Sequence, residues 1–206
     1  MTQQAGPQDG PDGQARRNGH HGQDPGDAQG GRQGAVLRAV RELEQHVAAG
    51  GWDGPVRLFA LVRTAGALER DPQLSSRLPP DVVAAAQADP EHLTLVEQEG
   101  LPDASSLEEL LGGLAWPPTV DGAALVTERV VVPPEVEAQM PTNPDDAVNF
   151  LASHPARREV RLAAAVLRDG TGGCAVRARD HDRDADVAVA PDLVPGLLEA
   201  LAGTLV

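Results

Sequence analysis

Lysine is missing from this sequence: all 17 basic residues among its 206 are arginine. That excludes a lysine nucleophile, a Schiff base and the lysine of a P-loop. Cysteine occurs once, at Cys174. No disulfide can form within the chain, and no metal site of two or more thiolates can be assembled from it. Tyrosine is absent too, and two Phe and two Trp are the whole aromatic content. A core drawn from the 41% of hydrophobic residues must therefore be built of Ala, Val and Leu. No apolar run approaches the roughly 18 residues of a membrane span. The opening residues carry no apolar stretch of the secretory kind, so the cytoplasm is the expected compartment.

What the chain has in excess is negative charge, a formal net of −14. Such a field repels phosphate backbones and anionic headgroups, so neither nucleic acid nor membrane is an expected partner. The densest basic cluster, Arg157, Arg158 and Arg161, has Glu159 inside it and no interleaved aromatics on which bases could stack.

Residues 1–34 are rich in Gly, Gln, Asp and Pro and have almost nothing to bury, so they read as a disordered tail. Residues 35–206 read as one domain. Val36, Val40, Leu43 and Val47 form a single apolar stripe, predicting a helix from about Ala35 to Ala49 that Gly50-Gly51 ends. Residues 57–70 fit either a strand or a helix; a strand to Arg63 followed by a helix from Thr64 to about Arg70 is favoured. A short helix is expected around Val82 to Ala88, and an extended piece at Leu93 to Val96. Ser105 and Ser106, each three residues before a glutamate, make a capping box for the helix that begins at Leu107. Ala123 to Val132 is the clearest strand. Asn143-Pro144-Asp145-Asp146 starts a further helix. Glu159 to Arg168 and Cys174 to Arg179 read as a hairpin around Asp169–Gly173, with Cys174, Val176 and Ala178 facing in and Arg177 and Arg179 facing out. A last strand at Val187 to Ala190 precedes a C-terminal helix opening at Pro191-Asp192. The sum is an α+β fold: a mostly antiparallel sheet of about 4–5 strands flanked by N- and C-terminal helices.

The candidate sites are few. Asp180, Asp182, Asp184 and Asp186 alternate as divalent-cation ligands can. The calcium-loop pattern, however, needs Gly and Glu where Ala185 and Pro191 stand, so the stretch reads first as a solvated turn. Cys174 with His181 could make a thiol–imidazole pair, but Cys174 falls on the apolar side of its strand and reads as a core residue. GxSxG, HExxH and CxxC are all absent, so no catalytic residue is assigned and no cofactor is expected. Arg157, Arg158 and Arg161, with His154, could clamp an anionic ligand, or could pair with acids such as Glu128. Glu128 shares a strand side with Val126 and Val130 and so must face an edge, a wet margin or an arginine. Trp52 and Trp116 sit beside Gly or Pro in connecting segments and could anchor a partner.

Several stretches taken together resemble one family: GWDGPVRLFALVRT from Gly51, LTLVEQ from Leu93, Trp116-Pro117, ERVVVPP from Glu128, His154 through Asp169, and Asp192 through Gly196. The family consists of small, uncharacterised cytosolic proteins of actinobacteria, with no established activity, and the likeness covers most of residues 35–206. It implies an origin in a high-GC Gram-positive bacterium and carries no site residue with it. The functional expectation is therefore a non-enzymatic adaptor or chaperone-like protein that binds another protein or itself, as in a homodimer. The alternative is a small-molecule ligand-binding domain or enzyme built on Arg157, Arg158 and Arg161.

Overall fold

The structure is a computed structural model that describes residues 25–205, with side chains from residue 28. The tail reading for residues 1–24 lies outside the described residues. Six strands form one sheet, in the order β2-β1-β3-β4-β5-β6 and antiparallel throughout. They are β1 (Arg57–Arg63), β2 (Leu93–Glu97), β3 (Gly122–Val131), β4 (Arg158–Leu167), β5 (Gly172–Ala178) and β6 (Ala188–Ala190). The helices are α1 (Pro25–Ala48), α2 (Thr64–Arg70), α3 (Pro80–Ala88), α4 (Leu107–Gly112), α5 (Pro134–Glu137), α6 (Pro144–Ser153) and α7 (Pro195–Ala202). The α+β class holds, with one more strand than the expected upper count.

Both faces of the sheet are covered. Alternation sends Phe59, Leu61, Ala124, Val126, Ala163 and Ala165 to one face, where Val36, Val40 and Leu43 of α1 meet them. Leu58, Ala60, Ala123, Leu125, Ala164 and Cys174 go to the other, under Leu111 of α4 and Leu197 and Leu201 of α7. Alanine in the central strands lets the helices sit close, which is how a chain so poor in aromatics fills its interior. The approach is tightest at Gly173, where an added Cβ would lie 2.9 Å from Val36 Cγ1.

Local signals account for most boundaries. The ambiguous segment resolves as a strand to Arg63 and a helix from Thr64. Ser106 Oγ accepts from the Glu109 N–H, while the Glu109 carboxylate accepts from Ser105 N–H and Oγ. Asn143 Oδ1 accepts from the N–H groups of Asp145 and Asp146. Gly51, at φ +85°, supplies the left-handed residue after α1.

Three expectations need correction. The first helix begins at Pro25, ahead of Ala35, and its early turns are tied down: Gln33 donates to the Gly172 carbonyl at 2.7 Å and Arg32 pairs with Asp169. The C-terminal helix begins at Pro195, not Pro191. Arg177 faces away from Cys174 as expected, yet it is 2% exposed, because α1 covers that face.

β1 pairs with β3 only as far as Arg57 opposite Val126, whereas β4 accompanies β3 through Val131 opposite Arg158. Residues 127–131 of β3 therefore overhang, with no strand on one edge among the described residues. Arg168 N–H donates to the Asp121 carbonyl across β3 and β4, and this sets the alternation of the ladder. The main-chain groups of Thr127, Arg129 and Val131 point to β4, and those of Glu128 and Val130 to the open edge.

Candidate functional site

The polar centre of the molecule lies where the overhang begins, under the end of α1. Glu128, Arg161 and Arg177 stand opposite one another on β3, β4 and β5, forming a charged row across the sheet. Glu44 of α1 comes down onto this row and is fully buried, as are both arginines. It takes Arg177 Nε and Nη2 in a fork, each at 2.7 Å, and sits 3.5 Å from Arg161 Nη1. Arg161 Nε and Nη2 lie 3.2 and 2.9 Å from Glu128 Oε1, and Nη2 also donates to the Gly51 carbonyl. Asp182 and Asp184 close the ring from outside, at 3.2 and 2.7 Å from Arg177. Charges removed from water this far persist only when paired and hydrogen-bonded, and the planar guanidinium fork suits that task.

The turn after α1 is the lid of this network. Gly51 and Asp53 both have positive φ, which folds Trp52 back over the sheet. Its indole lies under two guanidinium groups, 4.4 Å from Arg161 and 5.4 Å from Arg179, and its N–H donates to Asp182 at 2.9 Å. Asp53, a non-glycine residue in a left-handed conformation, is held by Arg179 through two contacts of 2.8 Å, and its N–H donates to Glu128 at 2.7 Å. The Trp52 indole, with the Arg177 guanidinium behind it, holds the Asp182 carboxyl below its ordinary range. Hydrogen bonding to the Glu44 carboxylate raises Arg177 above an ordinary arginine.

A cleft of about 480 Å³ opens beside the network. Its walls are Val47 at the end of α1 with Gly50 and Gly51 of the following turn, the Gly54–Arg57 segment, Glu97 at the end of β2 with Gln98, and β3 at Val126 to Glu128. Arg161 contributes to the wall, and its Nη1 is buried without a hydrogen-bond partner. Arg57 and Glu97 flank the opening as a forked pair, both contacts 2.6 Å.

The structure brings Trp52, Glu128 and Arg161 together out of the residues singled out in the sequence. It separates the others. Arg157 and Arg158 are exposed and only loosely opposed, at 3.7 Å from Glu159 and 3.8 Å from Asp180. The alternation that buries Arg161 turns Arg158, three residues earlier, to the opposite side. His154 follows α6, packs its ring 5.3 Å from Phe150 and accepts from the Ala156 N–H. Trp116 is buried, and its indole N–H donates to Thr204 at 3.0 Å, so it packs α7 rather than offering a surface to a partner. The acidic turn is divided among separate partners: Asp182 and Asp184 serve Arg177, Asp180 faces His181 and Arg158, and Asp186 faces Arg183. Among the described residues no three acidic, histidine or cysteine side chains converge as metal ligands do. Cys174 is buried beneath α7, and burial pushes its thiol up, away from the thiolate that nucleophilic chemistry needs.

Two members of the network went unread in the sequence. Glu44 occupies the α1 stripe, four residues after Val40, and a carboxylate at a core position was a visible signal. Arg177 gave none, since an arginine alternating with Val176 looks like any solvent-facing residue.

A family model described as PPA1309-like protein matches residues 36–206, and the chain belongs to that family. No curated protein and no solved structure matches it.

Proposed function

We propose that this member of the PPA1309-like family is a non-enzymatic protein-binding module that takes an extended segment of its partner along the open edge of β3. The observation that supports this is the overhang: Glu128 and Val130 direct main-chain groups to an edge that no other strand occupies among the described residues. An added strand there would continue the line of β1, and main-chain pairing of this kind supplies affinity with little demand on sequence. Side-chain chemistry would come from Val130 and Val131, both more than a third exposed, and from the cleft beside the Trp52 turn. The net charge of −14, with Glu97 and Glu128 at the cleft, favours a segment carrying basic residues. We place the protein in the cytoplasm of an actinobacterium, a reducing setting that suits its single buried thiol.

The test is Val130→Pro. Proline removes a donor from the open edge and leaves the β4 ladder intact, so the fold should survive with its melting temperature little changed. Tagged wild-type protein, captured from its own host after a moderate salt wash, should retain one stoichiometric partner that the variant loses. Wild type and variant retaining the same proteins would overturn the reading. Retention of untagged copies of the same chain, lost in the variant, would identify the partner as a second protomer pairing edge to edge.

A second reading has one observation in its favour: Arg161 lines the cleft, and among the described residues its Nη1, 3.5 Å from Glu44, has no hydrogen-bond partner. On that reading the cleft holds a small molecule presenting an acceptor to Arg161, with Glu128 beside it. A ligand screen in which no small carboxylate or phosphate raises the melting temperature would remove it.

A further inference from the structure

A second cavity lies on the face of the sheet opposite the buried ion network. It has a volume of about 230 Å³ and is bounded by α4, α7 and the outer parts of β3 and β4. Its walls are apolar: Leu107 and Leu111 from α4, Leu162 from β4, Leu197 and Ala200 from α7. Thr127, directly opposite Leu162 in the register, also lines it. Thr127 shares a strand side with Leu125, which packs with Leu111 and Leu197, so its side chain stands on the cavity's face of the sheet.

Thr127 is 3% exposed and its hydroxyl has no hydrogen-bond partner among the described residues. A buried, unsatisfied hydroxyl costs about 1–3 kcal/mol, so valine of the same shape would be the better residue if packing were all that mattered. Two exposed groups of opposite sign complete the lining, Arg129 two residues further along β3 and Glu108 on α4. The cavity thus has an apolar body, one hydroxyl without a partner, and a cation and an anion on its rim. The volume equals about eight water-sized units of about 30 Å³, too little for a helix or a long acyl chain.

We infer that this cavity binds a small apolar α-amino acid of about the size of leucine. The aliphatic side chain fills the space between α4 and α7. The carboxylate accepts from the Thr127 hydroxyl and pairs with Arg129, and the ammonium faces Glu108. Each polar group on the cavity then has a counterpart on the ligand. A simple fatty acid would leave Glu108 opposed to its carboxylate, and an amine without a carboxylate would leave Thr127 unanswered and Arg129 with only the Glu128 carbonyl.

Isothermal titration calorimetry of the full chain tests this with L-leucine, 4-methylpentanoate, leucinamide and glycine. Leucine should bind. Removing its ammonium or its carboxylate should each weaken binding at least about tenfold, the value of one charge-assisted hydrogen bond, and glycine should give no heat. Thr127→Val should weaken leucine binding by a similar factor while leaving the free protein at least as stable as wild type. Absence of heat with leucine, valine, isoleucine and methionine at millimolar concentration would overturn the assignment. So would 4-methylpentanoate binding as tightly as leucine. The two readings fail separately: Thr127→Val reports on leucine binding and Val130→Pro on partner capture, and Val130 is not among the residues that line the cavity.

Discussion

Replacing Glu44 by glutamine keeps its shape and removes its charge, and this is the sharpest perturbation of the buried network. Glu44 is 0% exposed and, among the described residues, is the one anion paired with both Arg161 and Arg177. The amide can accept from Arg177 through one oxygen only, so one of the two 2.7 Å contacts is lost and an NH₂ donor is turned toward a guanidinium. Breaking a buried pair from one side costs about 3–5 kcal/mol, because the remaining charge stays out of water. Arg177 keeps Asp182 and Asp184, and Arg161 keeps Glu128, so the low end, about 3 kcal/mol, is expected. For a domain of this size that is a drop of roughly 6–12 °C in melting temperature. Urea denaturation followed by circular dichroism measures it, with Asp89→Asn as the control. Asp89 pairs with Arg38 at the surface and its loss should cost under about 1 kcal/mol. The double variant Glu44→Leu with Arg177→Met should recover much of the loss, since apolar groups of similar volume can replace a buried ion pair. If Glu44→Gln lies within about 0.5 kcal/mol of wild type, the network does not hold α1 to the sheet and the reasoning fails.

Two further outcomes follow from the same geometry. Gly173→Val should destabilise by about 1–3 kcal/mol through crowding against Val36 and Leu37, whereas Gly54→Ala, where an added Cβ meets nothing within 4 Å, should be neutral in the same melting assay. Acid should release the Trp52 lid. The folded Asp182 carboxyl is held below its unfolded value, so its contribution is complete above the unfolded value and is lost as pH falls through the lower, folded one. In a Trp116→Phe background, Trp52 fluorescence should change at a midpoint below that of an ordinary aspartate; a midpoint at or above the ordinary value would refute the assignment.

What the sequence determined by itself was local. The α1 stripe with its glycine stop, the caps at Ser106 and Asn143 and the hairpin around Gly170 were legible, while the turnover from strand to helix at Arg63 and Thr64 was only the favoured of two fits. Each depends on residues within a few positions of one another, where backbone sterics and short hydrogen bonds decide the outcome. The early start of α1 at Pro25 was not legible, because its polar first turns are held by Gly172 and Asp169 far along the chain. Membership of a protein-binding or ligand-binding surface was no more legible for the same reason. Trp52 and Trp116 look alike in sequence, each beside Pro or Gly, yet one lies over two arginines and the other is buried against α7. Arg158 and Arg161 look like one cluster, yet strand alternation puts them on opposite sides. Only the tertiary structure could choose among these, because burial of a charge depends on what covers it. Here the cover for Arg161 and Arg177 is a helix contributed from more than a hundred residues away. The open edge of β3 is likewise a property of two registers at once, the point where β1 stops and β4 continues, and no single segment of the chain contains it.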